Sequence, residues 1–251
     1  MKIPFFNKEA ETNKSKKNNN NEDNKEEAFF RQMNEMRKED PLIGAKMGSK
    51  EIFARLINAL KDSRGVHIET LLCILGSLAG YSCQAGLRRE LVETKELSED
   101  QVFVIIDCKD GSKYYFGDRI NQPLLSNQYS IWSLAAGAVQ HMGITVTIDV
   151  QEILKHVSET VGSSTYGIPR IPEIHKSGDL PINFVRRLWP KLLPVVERFS
   201  IEPNEWSIMY GLALQEAILF GKDAIDPLLA LTIAMECAIP MAKVDLEPKN
   251  T

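Results

Sequence analysis

The chain has 251 residues, 43% of them hydrophobic and 25% charged, the mix of an ordinary folded protein of one or two domains. With 30 Lys+Arg against 34 Asp+Glu the formal charge is -4, which argues against a protein whose main partner is a nucleic-acid backbone, since such domains carry a basic excess. Cys73, Cys83, Cys108 and Cys237 are far apart and form no C-x-x-C pair, so neither a zinc knuckle nor a disulfide framework is indicated, and the thiols read as those of a reduced, cytoplasmic protein.

At the N-terminus Ile3, Phe5 and Phe6 are followed at once by Asn7, Lys8 and Glu9, too short an apolar run for a secretory h-region. From Asn7 to Glu27 the one hydrophobic residue is Ala10, and a segment with nothing to bury cannot offset the cost of ordering its backbone. Residues 1–40 are therefore expected to form a disordered, low-complexity tail. Its charges cancel, nine Lys+Arg against nine Asp+Glu, so it is no polybasic membrane arm. Two features interrupt it: the aromatic motif ending in Phe5-Phe6, and Phe29, Phe30, Met33 and Met36, whose spacing predicts an amphipathic helix over 28–38. Such a helix docks on its own domain or on a partner.

A single globular domain is expected over 41–246, with 247–251 disordered. Gly48-Ser49 ahead of Ile52, Phe53, Leu56, Ile57 and Leu60 predicts a capped helix ended by Arg64-Gly65. A longer helix, apolar on most sides, runs from His67 to about Glu93; its Leu71–Leu87 stretch falls short of a membrane span, and Gly76 and Gly80 suit close packing against a neighbour. Two β-rich runs around Asp110-Gly111 predict a hairpin over 102–116, read with a two-residue turn that pairs Cys108 with Lys113 and Ile106 with Tyr115. A helix over 123–141 follows, then a third strand over 144–148 on the alternation of Ile144, Val146 and Ile148 with Thr145 and Thr147. Asp149-x-x-Glu152 starts a helix to about Val161, the stretch 162–180 is a long loop, and further helices cover 181–199 (broken or kinked at Pro190 and Pro194), 203–220 and 227–239, the last stopped by Pro240. The expected fold is α+β and predominantly helical: about seven helices packed with a small sheet built on the hairpin and the third strand.

His67-x-Glu69 matches the opening of a zinc-deaminase signature, but no P-C-x-x-C follows, so His67 reads as a helix cap and Glu69 as a complement to the helix dipole. Arg64 and the free N–H groups of that helix end could hold an anion. Glu152 and His156, four apart, read as an exposed helix-surface pair. Glu236 is the lone charge between Pro227 and Ala242 and is expected to be buried against a cation or polar group from another helix. In the long loop Tyr166, Arg170 and His175 supply an aromatic, a cation and a titratable group, while Ile168, Ile171 and Ile174 would suit a strap over apolar surface. No complete catalytic constellation, metal site or cofactor motif occurs. The expectation is a non-enzymatic cytosolic adaptor or regulatory protein that binds a protein partner through Phe5-Phe6, the 28–38 helix or the loop, with no nucleic acid and no membrane span. The alternative is an enzyme or small-ligand sensor with a pocket near His67 and the loop.

Overall fold

A computed structural model describes residues 19–246, with side chains from residue 26 onward. The fold is α+β and predominantly helical, as expected: helices α1 (Asn19–Met36), α2 (Ile43–Leu60), α3 (Ile68–Leu87), α4 (Glu99–Val102), α5 (Asp118–Asn121), α6 (Ile131–His141), α7 (Val150–Glu159), α8 (Pro181–Phe199), α9 (Glu205–Phe220) and α10 (Pro227–Met241) surround one two-stranded antiparallel sheet, β1 (Val104–Asp107) and β2 (Lys113–Phe116). Helix α1 and the short α4 and α5 account for the helices beyond the seven expected.

The centre is α3. All but two residues from Ile68 to Gly86 are buried, because α10, α9 and α8 pack around it. Its two serine hydroxyls are satisfied within the helix, Ser77 Oγ donating to the Cys73 carbonyl at 2.5 Å and Ser82 Oγ to that of Ala79 at 2.7 Å, so they lie in apolar surroundings at little cost. Gly76 and Gly80 face the backbone of Ala234 and Ala238 on α10; a Cβ on Gly76 would come within 2.6 Å of the Ala234 carbonyl oxygen. The stretch Ile68–Thr94 is long and apolar enough to cross a membrane, yet 89% of its apolar window is buried inside the fold, the condition of a core helix.

Several boundaries move. Helix α1 begins at Asn19, so residues 19–27 are helical where no order was expected. Helix α2 begins at Ile43, which places Gly48 and Ser49 inside the helix, both buried, with Gly48 against Met209 and Phe199. Helix α8 is continuous from 181 to 199; Pro190 and Pro194 are one turn apart on its exposed face, where the carbonyls they leave unbonded turn to water. Pro240 falls within the last turn of α10 and does not stop it. The expected helix over 123–141 is confined to 131–141, capped by Ser130 Oγ on the Ser133 N–H; ahead of it lies a π-helical turn, Gln122–Ser126, and a second such turn, Arg88–Thr94, extends α3.

The hairpin is present with its register shifted by one. Ile106 pairs with Tyr114 and Ile105 with Tyr115, because the loop has three residues: Cys108 donates to Ser112, and Gly111 takes the left-handed conformation at φ +79°. Residues 144–148 form no strand among the described residues. Their alternation is real, with Ile144, Val146 and Ile148 packed on the core and Thr145 and Thr147 exposed, but no sheet edge lies beside them. The edge of β2 is taken by the C-terminal segment instead: Tyr115 N–H donates to the Lys243 carbonyl at 2.7 Å and Asp245 N–H to that of Lys113 at 3.2 Å.

Candidate functional site

Residues 162–180 cross the face formed by α10 and the start of α3, and side-chain bonds fasten them there. Tyr166 Oη donates to the Pro240 carbonyl at 2.9 Å and its ring packs on Tyr114. Arg170 is the principal anchor. It donates to Glu236 from Nη2 at 2.7 Å, from Nε at 3.0 Å and from its backbone N–H at 3.1 Å, and grips Glu152 with Nη1 and Nη2 at 2.6 and 2.7 Å. Glu152 thus belongs to a three-residue network and not to a pair with His156. The guanidinium bonds hold the Glu152 carboxyl below its usual range, and those from Glu152 and then Glu236 raise Arg170. Glu236 is 6% exposed, buried and paired with a cation as its isolated charge suggested, but the cation comes from the loop and not from another helix.

Further along, His175 Nδ1 lies 2.9 Å from Glu69 Oε1, and Ser177 Oγ donates to Cys73 Sγ at 3.3 Å. Burial pulls the Glu69 carboxyl upward, but the His175 hydrogen bond and the nearby imidazoles outweigh it and leave the carboxyl lowered. His67 caps α3, its Nδ1 accepting from the Thr70 N–H at 3.3 Å, while Arg64 points into solvent beside Asp62. The pocket expected near His67 exists as an open depression that Arg64, His67 and Lys176 border. Glu236 lies elsewhere, under Arg170, so the expected site residues do not converge. Ile171 packs on the core as a strap would, but Ile174 is 82% exposed: the loop is tied chiefly by polar anchors and not by a regular row of isoleucines. Phe5 and Phe6 lie outside the described residues. No cluster of three or more His, Cys, Asp or Glu fit to hold a metal occurs among the described residues.

The feature that sequence reasoning missed is the outer edge of β1. Tyr115 N–H and the Lys113 carbonyl point to the C-terminal segment, so Tyr114 and Phe116 point to β1 and meet Ile106 and Val104. Backbone direction alternates along a strand, which turns the N–H and C=O groups of Ile105 and Asp107 outward, away from β2. Beside them Val104 is 60% and Ile106 38% exposed. Natural sheets protect such edges with charges, proline or bulges; here one charge, Asp107, stands at the end and nothing among the described residues guards 104–106.

Comparison with protein-family models, with curated proteins and with solved structures finds no match.

Proposed function

We propose that this protein acts by binding another protein, which enters as an extended segment added to the outer edge of β1. The observation that carries the reading is the outward row of Ile105 and Asp107 backbone groups beside exposed Val104 and Ile106. Strand addition draws affinity from main-chain hydrogen bonds and specificity from alternate side chains. The suited segment therefore has apolar residues at alternate positions, to lie against Val104 and Ile106, and a basic residue near Asp107. The opposite edge of the sheet already takes up residues 243–245, so addition of an irregular segment is geometry this hairpin accepts.

Two of the surfaces expected from the sequence are engaged internally. Helix α1 buries Met33 and sets Phe30 edge-on against Phe199, and Arg37 just after it pairs with Glu205, so the helix docks on the protein itself although Phe29 and Met36 stay exposed. Tyr166, Arg170, His175, Glu69 and Glu236 bond to one another or to α10, which supports a fastening role over a catalytic one. The free thiols are consistent with a cytoplasmic setting, which is proposed with the function.

The test uses a photo-crosslinking amino acid in place of Val104, with and without Asp107→Pro. The Asp107 N–H points outward, so proline there removes an edge donor without breaking the hairpin. The expected result is one discrete adduct that Asp107→Pro abolishes at unchanged melting temperature. With that partner purified, amide exchange at Ile105 and Asp107 slows by about tenfold or more. An adduct that survives the proline, or exchange that the partner leaves unchanged, overturns the reading. An adduct of twice the chain mass identifies the partner as a second copy, and one lost on deleting Phe5 and Phe6 identifies it as the tail.

A further inference from the structure

A cavity of about 790 Å³ opens on a face built from the end of α3, the start of α9 and the two π-helical turns. Its size falls in the range of small-molecule sites, and π-helical turns are rare features that recur at such places. Leu87, Leu91, Pro123 and Ile208 give it an apolar wall. The charged residues at its rim are unequal. Glu90 is bonded by Lys95 Nζ at 2.6 Å, and Glu205 is held by Arg37 Nη1 at 3.1 Å and accepts from the Ile201 N–H at 3.2 Å. Arg119 has no hydrogen-bond or ion-pair partner among the described residues. Both carboxylates are thus neutralised by cations of their own, and the unmatched charge facing the cavity is one guanidinium.

We propose that this cavity is a binding site for a small amphiphilic monoanion, an alkyl or aryl carboxylate, whose head pairs with Arg119 and whose apolar body lies along Leu87, Leu91 and Ile208. A guanidinium receives a carboxylate through two parallel N–H donors, a geometry that a neutral alcohol of the same length cannot match. The site is independent of the β1 edge, and each stands or falls without the other.

The test is calorimetric titration of the full chain with decanoate and with decanol. Decanoate is expected to bind about tenfold more tightly, with a preference that shrinks at high salt. Arg119→Gln should remove that preference and leave decanol binding unchanged. Ile208→Trp, which fills the cavity, should abolish both; if it fails to fold, Gln122→Trp on the exposed wall makes the same test. Equal affinity for the two ligands in the native chain overturns the ligand class. Decanoate binding that persists in the filled variants overturns the site, and absence of binding by either ligand overturns the proposal as a whole.

Discussion

Glu236 and Lys243 are buried charges that lie outside the apolar logic of the core. Glu236 accepts three bonds from one residue of the loop, and Arg170 keeps Glu152 when Glu236 is lost. Glu236→Ala should therefore destabilise by about 1–3 kcal/mol, chiefly through the Arg170 backbone N–H left unpaired, while Glu236→Gln keeps an acceptor there and costs less. Urea midpoints of the two variants decide this; a midpoint for the alanine variant equal to the native one would refute it. Lys243 is 1% exposed, its Nζ donating to Asn121 Oδ1 at 2.6 Å, and burial pushes it down from 10.5 to about 8. Between those two values the unfolded chain holds a proton that the folded chain has released. Stability from this group therefore rises with pH across that window, by about 3 kcal/mol in all. Lys243→Met should flatten the rise, seen by comparing urea midpoints at pH 7.5 and pH 10; an identical pH response in both proteins would place the charge elsewhere.

At the scale of elements, the crossing of α3 on α10 depends on small residues. A Cβ on Gly80 would overlap the Ala238 carbonyl oxygen, a backbone atom that cannot give way without moving the helix. Gly80→Ala is expected to lower stability by about 3 kcal/mol, the upper end for overpacking. Gly137, within α6, offers the contrast: the nearest atom to an added Cβ is Gln215 Nε2 at 4.0 Å, so Gly137→Ala should gain about 0.5–1 kcal/mol through the restricted unfolded chain. Thermal melts of the pair should move in opposite directions. A shared rise would mean that helix propensity, and not the α3–α10 contact, governs the first substitution, and a shared fall would refute the gain expected at Gly137.

On the scale of the whole molecule, α1 behaves as part of the packed body. Arg37 bonds Glu205 and donates to the Phe199 carbonyl at 2.5 Å, tying α1 to the end of α8 and the start of α9, and Met33 is 3% exposed. A chain that begins at Asn19 should melt with the full protein, whereas one that begins at Pro41 exposes Phe199 and leaves Glu205 without its cation. Calorimetry should show the shorter chain melting several degrees lower, on the order of 1–3 kcal/mol less stable. Equal melting of both would return α1 to the status of a detachable tail.

What the sequence by itself determined are the features carried by local chemistry. The all-round apolarity of 68–87 made α3 central, Asp149 caps a helix where its spacing said, and the isolation of Glu236 in an apolar run was enough to foretell a buried carboxylate with a partner. Only the tertiary structure decided the rest. The alternation at 144–148 reports one buried side and one exposed side, which an extended segment on a core shows as well as a strand does; pairing needs a neighbouring edge that sequence periodicity does not encode. The hairpin register turned on whether the loop held two residues or three, a choice made by Gly111 at positive φ. Which edge of the sheet stays open was settled 130 residues away, where Lys243 and Asp245 bond to β2 and leave Ile105 and Asp107 facing outward. Arg119, too, looks like any surface cation in the sequence, and it stands out because the fold supplies cations to Glu90 and Glu205 and leaves it without a partner among the described residues. Burial and capping follow from a residue and its near neighbours, whereas open edges and unmatched charges depend on what distant parts of the chain bring alongside.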